Sequence, residues 1–255
     1  MKRTPIIAGN WKMNKDAEGA RELCEGVRQR VDGVSGVEKV MCPPFPFLML
    51  VAECLKGSSI KAGAQNVYWE EKGAFTGEVS PPMLKGIVDF VIIGHSERRA
   101  YFCETDETVN KKVKAVLAAG LRPIMCVGET ESERQAGQTE EVLLRQVRGG
   151  LDGVDLPESF AIAYEPVWAI GTGKAATGAM ANEAIGLIRA EVTRLFDAPR
   201  GDSLRVLYGG SVTPDNIVEF MREPEIDGAL VGGACLNVDS FSAIIEQSAR
   251  TAASK

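Results

Sequence analysis

Apolar, β-branched runs recur along the chain at 6–8, 37–42, 60–64, 90–93, 121–127, 160–164, 204–208 and 228–231. Most do not alternate apolar with polar residues, which predicts strands buried on both faces. Between the runs the period shifts to that of a helix. Ala20, Leu23, Cys24, Val27 and Val31 fall on one face, and Ala184, Ile185, Ile188, Val192 and Leu195 on another. Thr213 followed by Pro214 reads as an N-cap and first helical position, since proline there gives up no N–H that the helix needs. Strand and helix therefore alternate, and no stretch rich in Pro, Gly or Ser divides them. Eight strands at roughly thirty residues per unit predict an α/β chain forming a single-domain closed (β/α)8 barrel over 1–255. A doubly wound open sheet is the second reading, and the lack of GxGxxG after an early strand weakens its dinucleotide-binding form.

Composition narrows what such a barrel handles. With 45% hydrophobic and 25% charged residues among 255, the chain can bury a large core. Its net charge of −6, with no run of Lys or Arg longer than two, gives no field for gripping a nucleic-acid backbone. An anionic small molecule can still bind through local groups. The six cysteines, at 24, 42, 54, 103, 126 and 235, form no CxxC and no zinc-type spacing. Free thiols in a reducing compartment, and no metal, are expected. Strand-like sequence by Ile6 leaves no room for a signal peptide, and no apolar stretch approaches the roughly 18 residues of a membrane span. A cytoplasmic protein without membrane contact is the expectation.

The polar residues that break the pattern fall at one end of it. Asn10 and Lys12, Gln65 and Asn66, His95, Glu129, Glu165, Ser211, and Gly232 with Gly233 all follow the C-terminal end of a predicted strand. In a barrel these ends meet at one mouth. Glu165 closes an apolar strand and is followed by Val167, Trp168, Ala169 and Ile170. A surface glutamate is the commoner case, but this setting would desolvate the carboxylate under a closing lid, raise its pKa and make it a stronger base. His95 is the only histidine and stands before Ser96 and Glu97, which look like a helix start. The positive end of that helix disfavours an imidazolium, so His95 reads as a neutral hydrogen-bond donor, with an ordinary structural histidine as the rival. Lys12 would point over the mouth, attracting a phosphate and steadying a developing oxyanion. A solvated surface lysine and a Schiff-base nucleophile are the alternatives. The glycine pairs at 209–210 and 232–233 follow the last two strands, where barrels hold phosphate on backbone N–H groups at the start of a short helix. Either pair alone could be a plain turn.

The segments Gly9-Asn10-Trp11-Lys12-Met13-Asn14, Ile93-Gly94-His95-Ser96-Glu97-Arg98-Arg99, Cys126-Val127-Gly128-Glu129, Tyr164 to Lys174, Tyr208-Gly209-Gly210-Ser211-Val212 and Leu230-Val231-Gly232-Gly233 together resemble the triosephosphate isomerase family, in order and over nearly the whole chain. The resemblance implies a TIM barrel that interconverts dihydroxyacetone phosphate and D-glyceraldehyde 3-phosphate in glycolysis and gluconeogenesis, with a triose phosphate as small-molecule substrate and neither cofactor nor metal. It implies Glu165 as the base that moves a carbon-bound proton, His95 as the group serving the two oxygens, and Lys12 and Asn10 as electrostatic partners. Glu97 would support Lys12, and Cys126 would position Glu165 or simply fill the core as a small thiol. Gly171, Ser211, Gly232 and Gly233 would hold the phosphate. Pro166, Val167, Trp168, Ala169, Ile170, Gly171, Thr172, Gly173 and Lys174, running on to Ala176, would form a lid that excludes water.

The resemblance also implies a homodimer in which the 65–79 loop enters the partner, with Thr76 at its active site. Tyr68, Trp69 and Phe75 of that loop could equally pack on their own subunit. Cys235 departs from the serine of many relatives, and a thiol there could weaken a phosphate contact or admit oxidation. Two rival functions stay open on the same barrel. A Schiff-base aldolase through Lys12 leaves Glu165, His95 and the lid without work, and a non-catalytic phosphosugar binder is possible because fold does not fix function.

Overall fold

A computed structural model describes residues 3–170 and 176–254. Its eight strands are β1 (Ile6–Asn10), β2 (Glu38–Cys42), β3 (Ile60–Ala64), β4 (Phe90–Ile93), β5 (Arg122–Val127), β6 (Ala161–Tyr164), β7 (Arg205–Tyr208) and β8 (Gly228–Val231). They pair in chain order, and β1 pairs in parallel with β8 to close the barrel. Every apolar run expected to be a strand is one.

The helices among the described residues are α1 (Ala17–Val31), α2 (Leu48–Cys54), α3 (Pro81–Leu84), α4 (Ser96–Tyr101), α5 (Asp106–Ala118), α6 (Glu131–Gln135), α7 (Thr139–Leu151), α8 (Gly178–Leu195), α9 (Ala198–Ser203), α10 (Ile217–Arg222) and α11 (Val238–Ala253). Side-chain oxygens start several of them, as Asp16 does by accepting the Gly19 N–H at 2.8 Å.

Alternate strand residues serve two cores, which is why the runs show no polar alternation. Ile6, Ala8, Val40, Phe90, Ile92, Ile124, Cys126, Ala161 and Leu207 fill the barrel interior. Their neighbours Ile7, Met41, Val91, Ile93, Met125, Ile162 and Val206 face the helices. The apolar stripe of α1 is buried throughout. That of α8 is buried as far as Val192, while Leu195 is 37% exposed. A helix of this length runs about 27 Å, roughly twice the length of the short strand before it, so its end overhangs the barrel.

Thr213 does not cap a helix. A turn covers 214–216 and α10 starts at Ile217. The Asn216 side chain accounts for the delay: its Oδ1 accepts the Thr213 N–H at 2.8 Å and its Nδ2 donates to the Ser211 carbonyl at 3.1 Å. The segment is thereby folded into a turn at the mouth before the helix begins.

Charges close the opposite end. Glu38, Arg122 and Arg205 are the first residues of β2, β5 and β7. The Glu38 carboxylate accepts from both nitrogens of the Arg122 fork at 2.5 and 2.6 Å and from Arg205 at 2.9 Å. Burial pushes the Glu38 pKa up, but the two guanidiniums outweigh it and hold the carboxyl below its ordinary value. A depressed carboxylate pKa contributes stability that is present above the unfolded-state value, about 4.3, and is lost as pH falls through the folded one. Glu38→Gln should therefore cost about 3 kcal/mol in urea unfolding at pH 7, since it strands two guanidiniums. The deficit relative to the parent should shrink at pH 3, and a deficit equal at both pH values would count against the carboxylate as its source.

Candidate active site

β1, β4 and β6 deliver the ionisable groups to the C-terminal mouth. Asn10 ends β1, His95 stands two residues past β4, and Glu165 directly follows β6. With Lys12, Ser211, Gly232 and Gly233 they line one cavity of about 270 Å³.

Lys12 has left-handed backbone, φ 53°, which costs a non-glycine residue on the order of 1 kcal/mol and persists only where its surroundings enforce it. Asn10 Oδ1 accepts the Lys12 N–H at 3.1 Å. The Gln65 amide donates to the carbonyls of Lys12 and Cys42 at 3.0 and 2.9 Å. So held, the Lys12 ammonium reaches Glu97 Oε1 at 2.6 Å.

Glu165 is 2% exposed. Its Oε2 accepts the Ser96 backbone N–H at 2.8 Å, and its Oε1 lies 2.8 Å from His95 Nε2. Burial pushes the carboxyl pKa up, but His95, the Ser96 N–H and Lys12 together hold it below the usual carboxylate value. The expected rise is thus absent from this arrangement, because each partner favours the charged form.

On His95 burial opposes a charge, yet the carboxylates of Glu165 and then Glu97 hold its pKa above the ordinary histidine value. The helix start acts on the ring by a different route than its dipole: His95 Nδ1 accepts the Glu97 N–H at 3.2 Å. A nitrogen that accepts carries no proton, so the bonding pattern is that of the neutral tautomer with Nε2–H donating to Glu165.

Two neighbours shape the space around the carboxylate. Cys126 on β5 is within hydrogen-bond reach of Glu165, and burial together with that nearby charge drives its thiol pKa well up. It stands there as a neutral thiol. On the other side a Cβ at Gly209 would come within 2.9 Å of Glu165 Cγ, so glycine leaves the carboxylate room to move.

The glycine edge of the cavity lies across from these groups. A 3-10 turn, Gly233–Leu236, opens directly after Gly232, and a Cβ on Gly232 would sit 3.6 Å from Lys12 Cε. Backbone N–H groups and an ammonium border one space, which is the composition of an anion site. Cys235 is fully buried, its thiol packs towards Gly9 on β1, and burial pushes its pKa up to about 12. It therefore lies behind the glycine edge and not on it, away from the contact expected of a residue at that position.

The stretch after Glu165 is tied down at its start. Pro166 leads into a 3-10 turn, Val167–Ala169. The fully buried Glu129 accepts at Oε1 from Trp168 Nε1 at 2.9 Å, Arg134 at 3.0 Å and the Tyr164 hydroxyl at 3.1 Å. Its carbonyl accepts the Val167 N–H at 3.1 Å. Ile170 lines the cavity. Gly171, Thr172, Gly173 and Lys174, expected to continue the lid and bind phosphate, lie outside the described residues.

Thr76 is exposed and does not line this cavity. Its loop is pre-shaped, with Tyr68 stacked on Trp69 at 4.0 Å and beside Phe75 at 4.6 Å, so these aromatics pack on each other. Next to the first cavity a second of about 330 Å³ is lined by Met13, Phe45, Gln65, Glu97, Arg98 and Phe102 among others.

The Ser96 N–H is a partner of Glu165 that the pattern of polar positions does not single out. The signal was present, since the first N–H groups of any helix lack an internal acceptor. Among the described residues no group of His, Cys, Asp and Glu could hold a metal ion, all six cysteines are free, and no helix is long and apolar enough to cross a membrane.

A sequence model described as Triosephosphate isomerase matches residues 5–248. Proteins named triosephosphate isomerase from Carboxydothermus hydrogenoformans, Moorella thermoacetica and Dictyoglomus thermophilum are 54%, 53% and 50% identical to it, covering 96%, 95% and 96% of this chain and 99%, 98% and 99% of their own. With the closed barrel and the convergent mouth, these matches mean that the chain belongs to the triosephosphate isomerase family, isomerases that interconvert dihydroxyacetone phosphate and D-glyceraldehyde 3-phosphate in glycolysis and gluconeogenesis.

Proposed function

We propose that Glu165 is the base of this isomerisation, with His95 donating to the substrate oxygens, Lys12 and Asn10 polarising them, and the phosphate held at Gly171, Ser211, Gly232 and Gly233. The observation that carries this reading is a carboxylate 2% exposed, hydrogen-bonded to the only histidine in the chain, on a cavity that it shares with Lys12 and the glycine edge. Glu165 would take a proton from the carbon beside the carbonyl and return it to the neighbouring carbon through an enediolate. His95 would give its Nε2 proton to one oxygen and recover one from the other, so neither residue is altered at the end.

The free-state partners also give the pair a way to gain strength. A substrate oxygen that takes the Nε2–H of His95, and a carboxylate drawn away from the Ser96 N–H, would remove two of the contacts that keep the Glu165 pKa low. Burial would then dominate and raise it. Lys12 in its ion pair with Glu97 supports an electrostatic role over an aldolase role, since a Schiff base needs a free amine.

A homodimer belongs to the same proposal, with the partner's Thr76 loop seated in the second cavity. Met13, Phe102 and Met49 are 95%, 63% and 63% exposed, an apolar surface beside the catalytic end that a monomer would leave in water. A cytoplasmic location follows as the expectation for a glycolytic enzyme.

Conversion of glyceraldehyde 3-phosphate, coupled to NADH oxidation by glycerol-phosphate dehydrogenase, tests the base. Glu165→Gln should abolish turnover and Glu165→Asp should lower kcat by about 10²-fold with little change in KM, because a base that retreats by about 1 Å loses alignment. Near-normal turnover in either variant would displace Glu165. Trp168→Phe removes the indole donor to Glu129 and should lower kcat by about tenfold while raising the share of substrate lost as methylglyoxal and free phosphate; an unchanged product ratio would detach this bond from the lid. Sedimentation at assay concentration should give a species of twice 27.4 kDa, and a fully active monomer would end the dimer proposal.

A further inference from the structure

Gln146 lies on the buried face of α7, 5% exposed, between Leu143 and Val147. It takes no part in the roles assigned above. Its side-chain amide is spent on a single peptide segment: Oε1 accepts the Gly128 N–H at 2.7 Å, and Nε2 donates to the Gly128 carbonyl at 3.2 Å.

The reason lies in how the sheet ends. Glu165 N–H donates to the Val127 carbonyl at 2.8 Å and Val167 N–H to the Glu129 carbonyl at 3.1 Å, so the pairing of β5 with β6 continues past both strands and includes the catalytic residue. Successive residues of an extended chain direct their backbone groups to opposite sides. Val127 and Glu129 face Glu165 and Val167, so Gly128 must face the other way, towards β4. That strand has already ended at Ile93. Gln146 supplies the acceptor and the donor that the missing strand would have provided.

Gly128 is also in closest approach to the base. A Cβ on it would stand 1.7 Å from the Glu165 carbonyl oxygen, so any tilt of the Gly128 peptide is passed to the backbone of Glu165. We infer that Gln146 is a positioning residue for the isomerisation: by clamping Gly128 on the side away from Glu165, it fixes the backbone from which the base and the first arm of the lid project. The inference rests on Glu165 being the base.

A cavity of about 530 Å³ lies beside the clamp, lined by Ser96, Arg99, Gly128, Gln146, Glu165 and Val167. Water entering it can hydrate a Gly128 that has lost its partner, so a variant would keep its fold yet lose the fixed geometry. Among the described residues, the groups proposed to hold the phosphate, Lys12, Ser211, Gly232 and Gly233, follow β1, β7 and β8 and do not line this cavity.

The experiment is steady-state kinetics of Gln146→Leu beside Glu165→Gln, with folding checked by circular dichroism and urea titration. The Leu variant should lower kcat at least about tenfold, and up to about 10²-fold, with KM for glyceraldehyde 3-phosphate within about twofold. Gln146→Glu keeps the acceptor for the Gly128 N–H and should recover part of the loss. It also stands in for the Leu variant should that one fail to fold, then read against the parent by the same kcat and KM limits. A folded Leu variant, or the Glu variant where it stands in for it, with kcat within about twofold of the parent, or with KM raised in proportion to the fall in kcat, overturns the positioning role. Retained turnover in Glu165→Gln would instead overturn the base assignment, so the two failures are told apart.

Discussion

The site depends on keeping one carboxylate charged while it is 2% exposed. Taking an ionised carboxylate out of water costs several kcal/mol unless hydrogen-bond donors replace the water. Glu165 has such donors only because other strands end beside it. The Ser96 N–H and the His95 ring come from the end of β4, and the Lys12 charge from the end of β1. None of them lies within fifty residues of Glu165 in the chain, so the charge is tolerable only in a closed barrel with its registers set. His95 and Lys12 border the cavity, and under the proposed mechanism a substrate oxygen would compete for them, which separates such a base from a permanent salt bridge.

The two ends of the barrel use similar residues to opposite effect. At the N-terminal end of the strands Glu38 is neutralised by Arg122 and Arg205, and Asp227 by Arg189 and Arg3 at 2.7 and 2.6 Å. Those guanidiniums are paired with protein carboxylates, and the one buried nitrogen among them left without an acceptor, the Arg122 Nε, is closed off from any ligand. At the mouth the cations and donors border a cavity instead. Lys12 is bound to one carboxylate oxygen of a half-exposed Glu97 and still reaches the glycine edge. Stability is concentrated where charges are satisfied, and chemistry where their partners can be exchanged.

What the sequence made legible follows from which interactions leave a local pattern. Burial on both faces produces unbroken apolar runs, and these located all eight strands. Because a barrel gathers the ends of its strands, the polar residues after the runs could be assigned to one mouth. Interactions between a side chain and distant backbone leave no such period. The lowered pKa of Glu165 depends on His95 and then on the Ser96 N–H, and the late start of α10 on the Asn216 side chain. Gln146 left a faint trace: it is the one amide on the otherwise apolar buried face of α7, which carries Val142, Leu143, Val147 and Leu151. A polar residue in that position must find partners inside the protein, though nothing in the chain says that they belong to Gly128.

In the proposed mechanism the base and the first arm of the lid share one piece of backbone, and that constrains how they would move. Glu165 and Val167 are both bonded to the chain that follows β5, and Pro166 between them has its φ fixed by its ring. The segment cannot swing freely at residue 165. Closure of the proposed lid would therefore leave this pair in place, or break the bonds of Trp168 and Val167 to Glu129 and carry the carboxylate with it. In the second case closure and the exchange of partners at Glu165 become one event. The carboxylate would then shed its free-state donors only when the lid has already begun to exclude water, which is when an enediolate needs protection from losing phosphate.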